Sequence, residues 1–114
     1  DMTESFNSLP NEKKFVYALE YFDEDAKKNL SVFFKNNGGP LISMVPDALN
    51  AIGAGKYVEH YATLLPMYDP DSEVSIDYSV IGKVDEEFAS IYNSDELLRL
   101  TAKYILKNKE IFLA

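Results

Sequence analysis

The sequence contains no cysteine and only one histidine, His60. Without cysteine there are no disulfides, thiolate nucleophiles or cysteine-ligated metal sites, a composition more compatible with the cytoplasm than with a secreted scaffold. A lone histidine lacks the second imidazole of typical zinc sites, and no serine stands in a Gly-x-Ser-x-Gly pattern. We therefore predict no catalytic, cofactor-binding or metal-binding residues, and no enzymatic activity.

Long hydrophobic runs are also absent. No apolar stretch approaches the roughly 20 residues that span a membrane, and the first residues do not form a basic segment followed by a hydrophobic one. We expect a cytoplasmic protein without membrane contact, although the sequence leaves open a signal removed upstream of Asp1. With 46% hydrophobic residues and five each of glycine and proline, residues 1–114 form one predicted globular domain.

Basic residues are scarce in the middle of the chain. The formal net charge is −8, and residues 59–96, here called the acidic tract, carry ten acidic residues against Lys83 alone. Residues 97–114 have the opposite sign, with Arg99 and three lysines against Glu110. Because binding to phosphates needs a clustered basic face, we predict a basic protein as the partner and no direct contact with nucleic acid.

Apolar residues recur at spacings of three and four along most of the chain, a pattern typical of amphipathic helices. Glycine and proline residues mark the boundaries between these segments. The predicted helices run from Pro10 to Phe22, from Asp23 to Asn36, from Pro46 to Gly53, from Gly55 to Pro66, from Glu86 to Tyr92 and from Ser94 onward.

Residues 73–81 break the helical pattern. Val74, Ile76, Tyr78 and Val80 alternate with polar residues, and this period of two is typical of a strand. Because a single strand has no partner in an otherwise helical chain, we predict an extended connection around residues 73–81. The predicted fold is an all-α, compact, single-domain bundle of five to six helices.

Two short motifs resemble ligand-binding loops but lack essential parts. Gly55-Lys56 resembles the end of a phosphate-binding loop, yet Tyr57 follows where Ser or Thr is required, and no glycine stands five residues before Gly55. The segment Asp69–Asp77 places oxygen atoms at alternate positions as calcium loops do, yet Val74 and Val80 occupy the positions of the required Gly and Glu. We interpret the first as a helix boundary and the second as a solvated turn.

The centre of the chain resembles a known family. Phe33-Phe34-Lys35-Asn36, Gly39 and the run Pro46–Ala54 are similar to the signature of a bacterial family of helical domains of unknown function that includes a DNA-mimic protein. The similarity covers roughly residues 10–108, and its most specific part is the Ala-Leu-x-x-Ile-Gly-Ala element. The resemblance implies a helical fold and a surface of carboxylates spaced like phosphates, which binds a DNA-binding protein.

We hypothesise a non-enzymatic domain whose acidic tract binds a basic, DNA-binding protein as a DNA mimic. The expected partner-binding residues are Asp69, Asp71, Glu73, Asp77, Asp85, Glu86, Glu87, Asp95 and Glu96. Other hypotheses are a small immunity or antitoxin-like regulator, an acidic face that only keeps the protein soluble, and an enzyme that uses paired carboxylates. A homodimer is also compatible with the sequence.

Overall fold

Seven α-helices lie wholly within the described part of the chain. A computed structural model describes residues 6–113, so residues 1–5 and 114 of the predicted domain lie outside it. The helices are α1 (Asn11–Ala26), α2 (Leu30–Asn36), α3 (Pro40–Ala51), α4 (Val58–Tyr68), α5 (Tyr78–Ile91), α6 (Ser94–Lys107) and α7 (Lys109–Leu113). A 3₁₀ turn at Gly55–Tyr57 precedes α4. Residues 6–113 contain no strand, which confirms the all-α prediction, and none of these helices is long and apolar enough to cross a membrane.

α1 lies at the centre of the bundle. It packs against α2, α3, α6 and α7, while α5 packs against α2 and α4 on the other side of the core. The ring of Phe22 is fully buried and contacts the rings of Phe33, Tyr61, Phe88 and Tyr92. Each such buried side chain contributes on the order of 1.5–3 kcal/mol. These five aromatic residues therefore form the centre of the core.

The segment after Ile52 ends α3 as predicted. Gly53 has φ +84°, a left-handed conformation that favours glycine. The N–H of Ala54 donates to the Leu49 carbonyl at 2.8 Å, and the N–H of Gly53 donates to the Asn50 carbonyl at 3.2 Å. This pair of bonds is a Schellman motif, so the Ile-Gly-Ala part of the family signature is a helix stop.

α3 begins at Pro40, whereas the sequence predicted a start at Pro46. Proline is favoured at the first position of a helix, because its missing N–H would have no partner there. Pro46 lies inside α3, where it cannot donate the usual hydrogen bond to the Ile42 carbonyl. The buried hydroxyl group of Tyr61 donates to that carbonyl at 2.5 Å, so a residue of α4 replaces the lost bond.

The extended connection is present, but it ends at Asp77 and not at residue 81, and the turn of residues 69–72 precedes it. Residues 78–81 form the first turn of α5 instead. The Asp77 carboxylate caps this turn by accepting from the N–H groups of Ser79 and Val80 at 3.0 and 3.2 Å. The cap explains why a segment with strand-like alternation starts a helix.

α1 is longer than predicted, because it continues through Asp23 to Ala26. Asp23 is buried in the last turn, where its Oδ1 atom accepts from the hydroxyl groups of Tyr92 and Ser94. This aspartate is therefore not the start of a second helix. It connects α1 to the junction between α5 and α6.

A second buried carboxylate, that of Asp85, joins α5 to the start of α2. Asp85 Oδ1 accepts from the N–H of Ser31 at 2.8 Å, and Oδ2 accepts from the Ser31 hydroxyl group at 2.6 Å. Asn29, the residue before α2, makes no capping bond with its side chain. Asp85 thus caps α2 from another helix, and its negative charge interacts favourably with the N-terminal end of the helix dipole.

We expect Asp85→Ala to lower the free energy of unfolding by about 2–3 kcal/mol, because the Ser31 N–H and hydroxyl groups lose their acceptor inside the protein. Glu86→Ala is the matched control, since Glu86 is the next residue of α5 and is exposed. Its effect should stay within about 0.5 kcal/mol. Urea unfolding followed by circular dichroism measures both values, and equal losses would contradict the capping role of Asp85.

The buried tyrosines predict alkaline instability. Burial raises the pKa of Tyr61, and burial together with the hydrogen bond to Asp23 raises the pKa of Tyr92. Since these pKa values are higher in the folded than in the unfolded state, the resulting stability is fully present below about pH 10 and decreases above it. Urea unfolding over a pH series should show this decrease, and Tyr92→Phe should make it less steep. An unchanged slope in Tyr92→Phe would contradict the assignment.

Candidate functional site

The nine acidic residues proposed for partner binding differ in exposure. Seven of them are exposed, namely Asp69, Asp71, Glu73, Asp77, Glu86, Glu87 and Asp95. Glu96 is partly buried. Asp85 differs from the expectation, since it is buried and both of its oxygen atoms accept from Ser31. A partner cannot reach its carboxylate, so Asp85 is not part of the candidate surface.

Residues 69–72 form the turn that follows α4. The Asp69 Oδ1 atom accepts from the N–H of Asp71 at 2.9 Å, and the N–H of Ser72 donates to the Asp69 carbonyl at 3.1 Å. These local bonds satisfy the backbone and leave the Asp71 side chain exposed, which confirms the interpretation of this segment as a turn. Across residues 6–113, no three His, Asp or Glu side chains are grouped to hold a metal ion.

Glu86 and Glu87 lie on the outer side of α5. The opposite side buries Ile81, Val84 and Phe88 together with Asp85. Glu87 Oε2 lies 3.5 Å from Nε2 of His60, whose ring contacts the ring of Phe88. His60 Nδ1 is buried and has no hydrogen-bond partner among the described residues. His60 therefore packs between α4 and α5, and the exposed Glu87 has this imidazole as a neighbour within the protein.

Glu96 forms an internal ion pair at the start of α6. Its Oε1 atom lies 2.6 Å from Nζ of Lys56, which also lies 5.3 Å from the centre of the Tyr57 ring. The hydrogen bond to Glu96 raises the pKa of Lys56. Lys56 is thus paired with a carboxylate, and the charge of Glu96 is largely neutralised within the protein.

A groove opens beside Asp69 and Asp71, with a volume of about 470 Å³. We call it the α2–α4 groove, because the ends of α2 and α4 form two of its walls and the start of α3 forms the third. Phe34, Ile42 and Tyr68 are among its apolar lining residues. Sequence reasoning missed this groove, because its walls come from segments that are distant along the chain.

The last two helices carry several exposed basic residues. In α6 and α7 the exposed basic residues are Arg99, Lys103, Lys107 and Lys109. The exposed acids of the candidate surface lie on the connection after α4, on α5 and at the start of α6. The connection and α5 carry more exposed acids than bases, with Lys83 as the exposed base of α5, whereas α6 carries acids in its first turn and basic residues further along.

Comparisons with known proteins identify the family of this chain. A family model described as DMP19-like protein matches residues 7–108, which include the signature segment and the whole acidic tract. Searches among curated proteins and among solved structures found no match. DMP19 is a DNA-mimic protein family, so the resemblance stated from the sequence is confirmed. This chain belongs to the DMP19-like protein family.

Proposed function

We propose that this chain binds a basic, DNA-binding protein through the exposed carboxylates of its acidic tract and so acts as a DNA mimic. The observation that carries the proposal is the exposure of seven of the nine candidate acids in a member of the DMP19-like family. The kind of partner and the mode of binding are inferred from the charge and geometry of this surface.

Most of these carboxylates are free to attract a cation. Within residues 6–113 the ion pairs are Lys27–Glu24 and Lys56–Glu96, and Glu87 lies beside the imidazole of His60. The exposed acids of the tract that take part in none of these contacts are Glu59, Asp69, Asp71, Glu73, Asp77, Glu86 and Asp95. Their field steers a basic protein toward this surface, and salt weakens it over a Debye length of about 8 Å.

The charge density is lower than that of DNA. From Asp77 to Glu87, α5 rises about 15 Å, and Asp77, Glu86 and Glu87 are its exposed acids over this length. Double-stranded DNA carries one charge per roughly 1.7 Å of its axis. A protein that binds both DNA and this chain should therefore release this chain when enough DNA is present.

The buried acids support a binding protein over a carboxylate enzyme. An acid–base pair would bring two carboxyl groups together in a concave pocket. Asp23 instead accepts from Tyr92 and Ser94, and Asp85 accepts from Ser31. These side chains have structural roles, and the α2–α4 groove has its two carboxylates exposed at its rim.

The test uses the immobilised protein and a heparin-binding fraction of a bacterial lysate at low salt. We expect a basic DNA-binding protein to be retained, and duplex DNA or raised salt to release it. Glu73→Gln, Glu86→Gln and Asp95→Asn combined should weaken the binding of that purified protein roughly tenfold, since three attractive charges are lost. Titration calorimetry measures the affinity.

The matched control combines Glu20→Gln, Asp47→Asn and Glu110→Gln, which removes the same charge from exposed positions outside the acidic tract. It should keep the affinity within about twofold, because distant exposed charges are screened. Equal losses in the two triple variants would refute a specific acidic surface. Failure to retain any basic protein at low salt would refute the proposed function.

A further inference from the structure

We propose that the α2–α4 groove receives an arginine side chain of the basic partner. The inference rests on the proposed function and adds a defined anchoring site to it. A volume of about 470 Å³ lies within the usual range of small-ligand pockets, roughly 300–1,000 Å³, and so accommodates one long side chain. Interfaces commonly owe much of their affinity to one such anchor in a pocket.

The lining of the groove includes a pair of stacked aromatic rings. The centres of the Phe34 and Tyr68 rings are 5.1 Å apart, and the ring planes differ by 15°. Phe34 is buried, whereas Tyr68 is only partly buried and lines the groove. Packing against Phe34 fixes the orientation of the Tyr68 ring. A flat guanidinium group stacks favourably on such a ring.

Two carboxylates stand at the edge of the groove beside this ring. Asp69 follows Tyr68 directly, and its Oδ1 atom accepts from the N–H of Asp71. No ion pair involves Asp69 or Asp71 within the part of the chain that the structure describes. They can therefore accept hydrogen bonds from the several N–H groups of a guanidinium, which binds carboxylates through two parallel bonds.

The position of Asp69 is unfavourable without a cation. It follows the last residue of α4, where the helix dipole presents its negative end and favours lysine or arginine. The last turn of α4 contains no basic residue. An arginine from the partner would provide the missing positive charge at this helix end.

The third wall of the groove, formed by the start of α3, carries a partial positive charge. α3 begins after Gly39, which has no side chain to cap the helix, and Gly39, Ile42 and Ser43 line the groove, so the uncapped start of α3 faces it. A helix N-terminus carries about half an elementary charge, which is less than the two carboxylates on the other side. The net charge of the groove therefore favours a cation over an anion.

The experiment titrates the protein with Nα-acetyl-arginine amide and, separately, with Nα-acetyl-lysine amide, followed by amide NMR shifts. We expect the arginine compound to bind with a Kd of about 1 mM, as suits a ligand of this size, and with shifts centred on Phe34, Tyr68 and Asp71. The lysine compound should bind at least about fivefold more weakly, because it lacks the planar group. Equal binding of both compounds would overturn the inference.

Asp71→Asn should weaken arginine binding roughly tenfold, because it removes one of the two carboxylates at the rim. Asp71 is exposed, so the fold should be unaffected. Asp47→Asn is the control, with the same change of charge at an exposed position of α3 that does not line the groove. Tyr68→Leu tests the stacking without changing the charge, and it should reduce the preference for arginine over lysine. Equal effects of Asp71→Asn and Asp47→Asn would overturn the proposal.

The same variants separate this inference from the proposed function. If Asp71→Asn binds the retained basic protein as tightly as Asp47→Asn does, the groove is not the anchor, although the acidic surface still binds. If no basic protein is retained at all, the proposed function fails, while the arginine titration still tests the groove.

Discussion

The hydrogen bonds between Asp85 and Ser31 determine how α5 is turned against the rest of the protein. A buried carboxylate without donors costs several kcal/mol, so α5 cannot rotate Asp85 away from the start of α2 without a large loss of stability. Ile81, Val84 and Phe88 are buried on the same side of α5 as Asp85, so Glu86 and Glu87 lie on the outer side. The Asp85 contact and these apolar residues together determine which acids of α5 are exposed.

The other buried aspartates extend this arrangement to the ends of α1 and α2. Asp23 holds the junction of α5 and α6, and Asp25 accepts from the side-chain amide groups of Asn36 and Asn37 at the end of α2. Asn36 belongs to the signature that links this chain to its family, so part of that signature serves helix packing. An acidic protein of this kind contains two populations of carboxylates, and only the exposed one contributes to the field around it.

Much of the helical core could be predicted from the spacing of apolar residues, and the end of α3 from Gly53. The start of α3 and the end of α1 could not, because Pro46 depends on a hydroxyl group of α4 and Asp23 on hydroxyl groups near α6. The sequence does contain a pattern that indicates the burial of Asp85. It lies four residues after Ile81 and next to Val84, on the apolar side of α5, but the strand-like alternation through residue 80 concealed where that helix begins. The groove has no such signal, since three distant segments form it.

The distribution of charge matters more for the proposed recognition than the net charge of −8. The proposed basic partner would be attracted by the acids of the connection and α5 and repelled by the exposed lysines of α6 and α7, so the field would orient the two molecules before they touch. Orientation by exposed charges changes mainly the association rate, because such charges stay hydrated and are screened by salt. Slow dissociation requires a desolvated contact, and exposed carboxylates alone do not supply one. The α2–α4 groove lies at one end of the acidic tract. Its stacked aromatic pair offers a surface for a desolvated contact, and Asp69 and Asp71 beside it supply exposed charge.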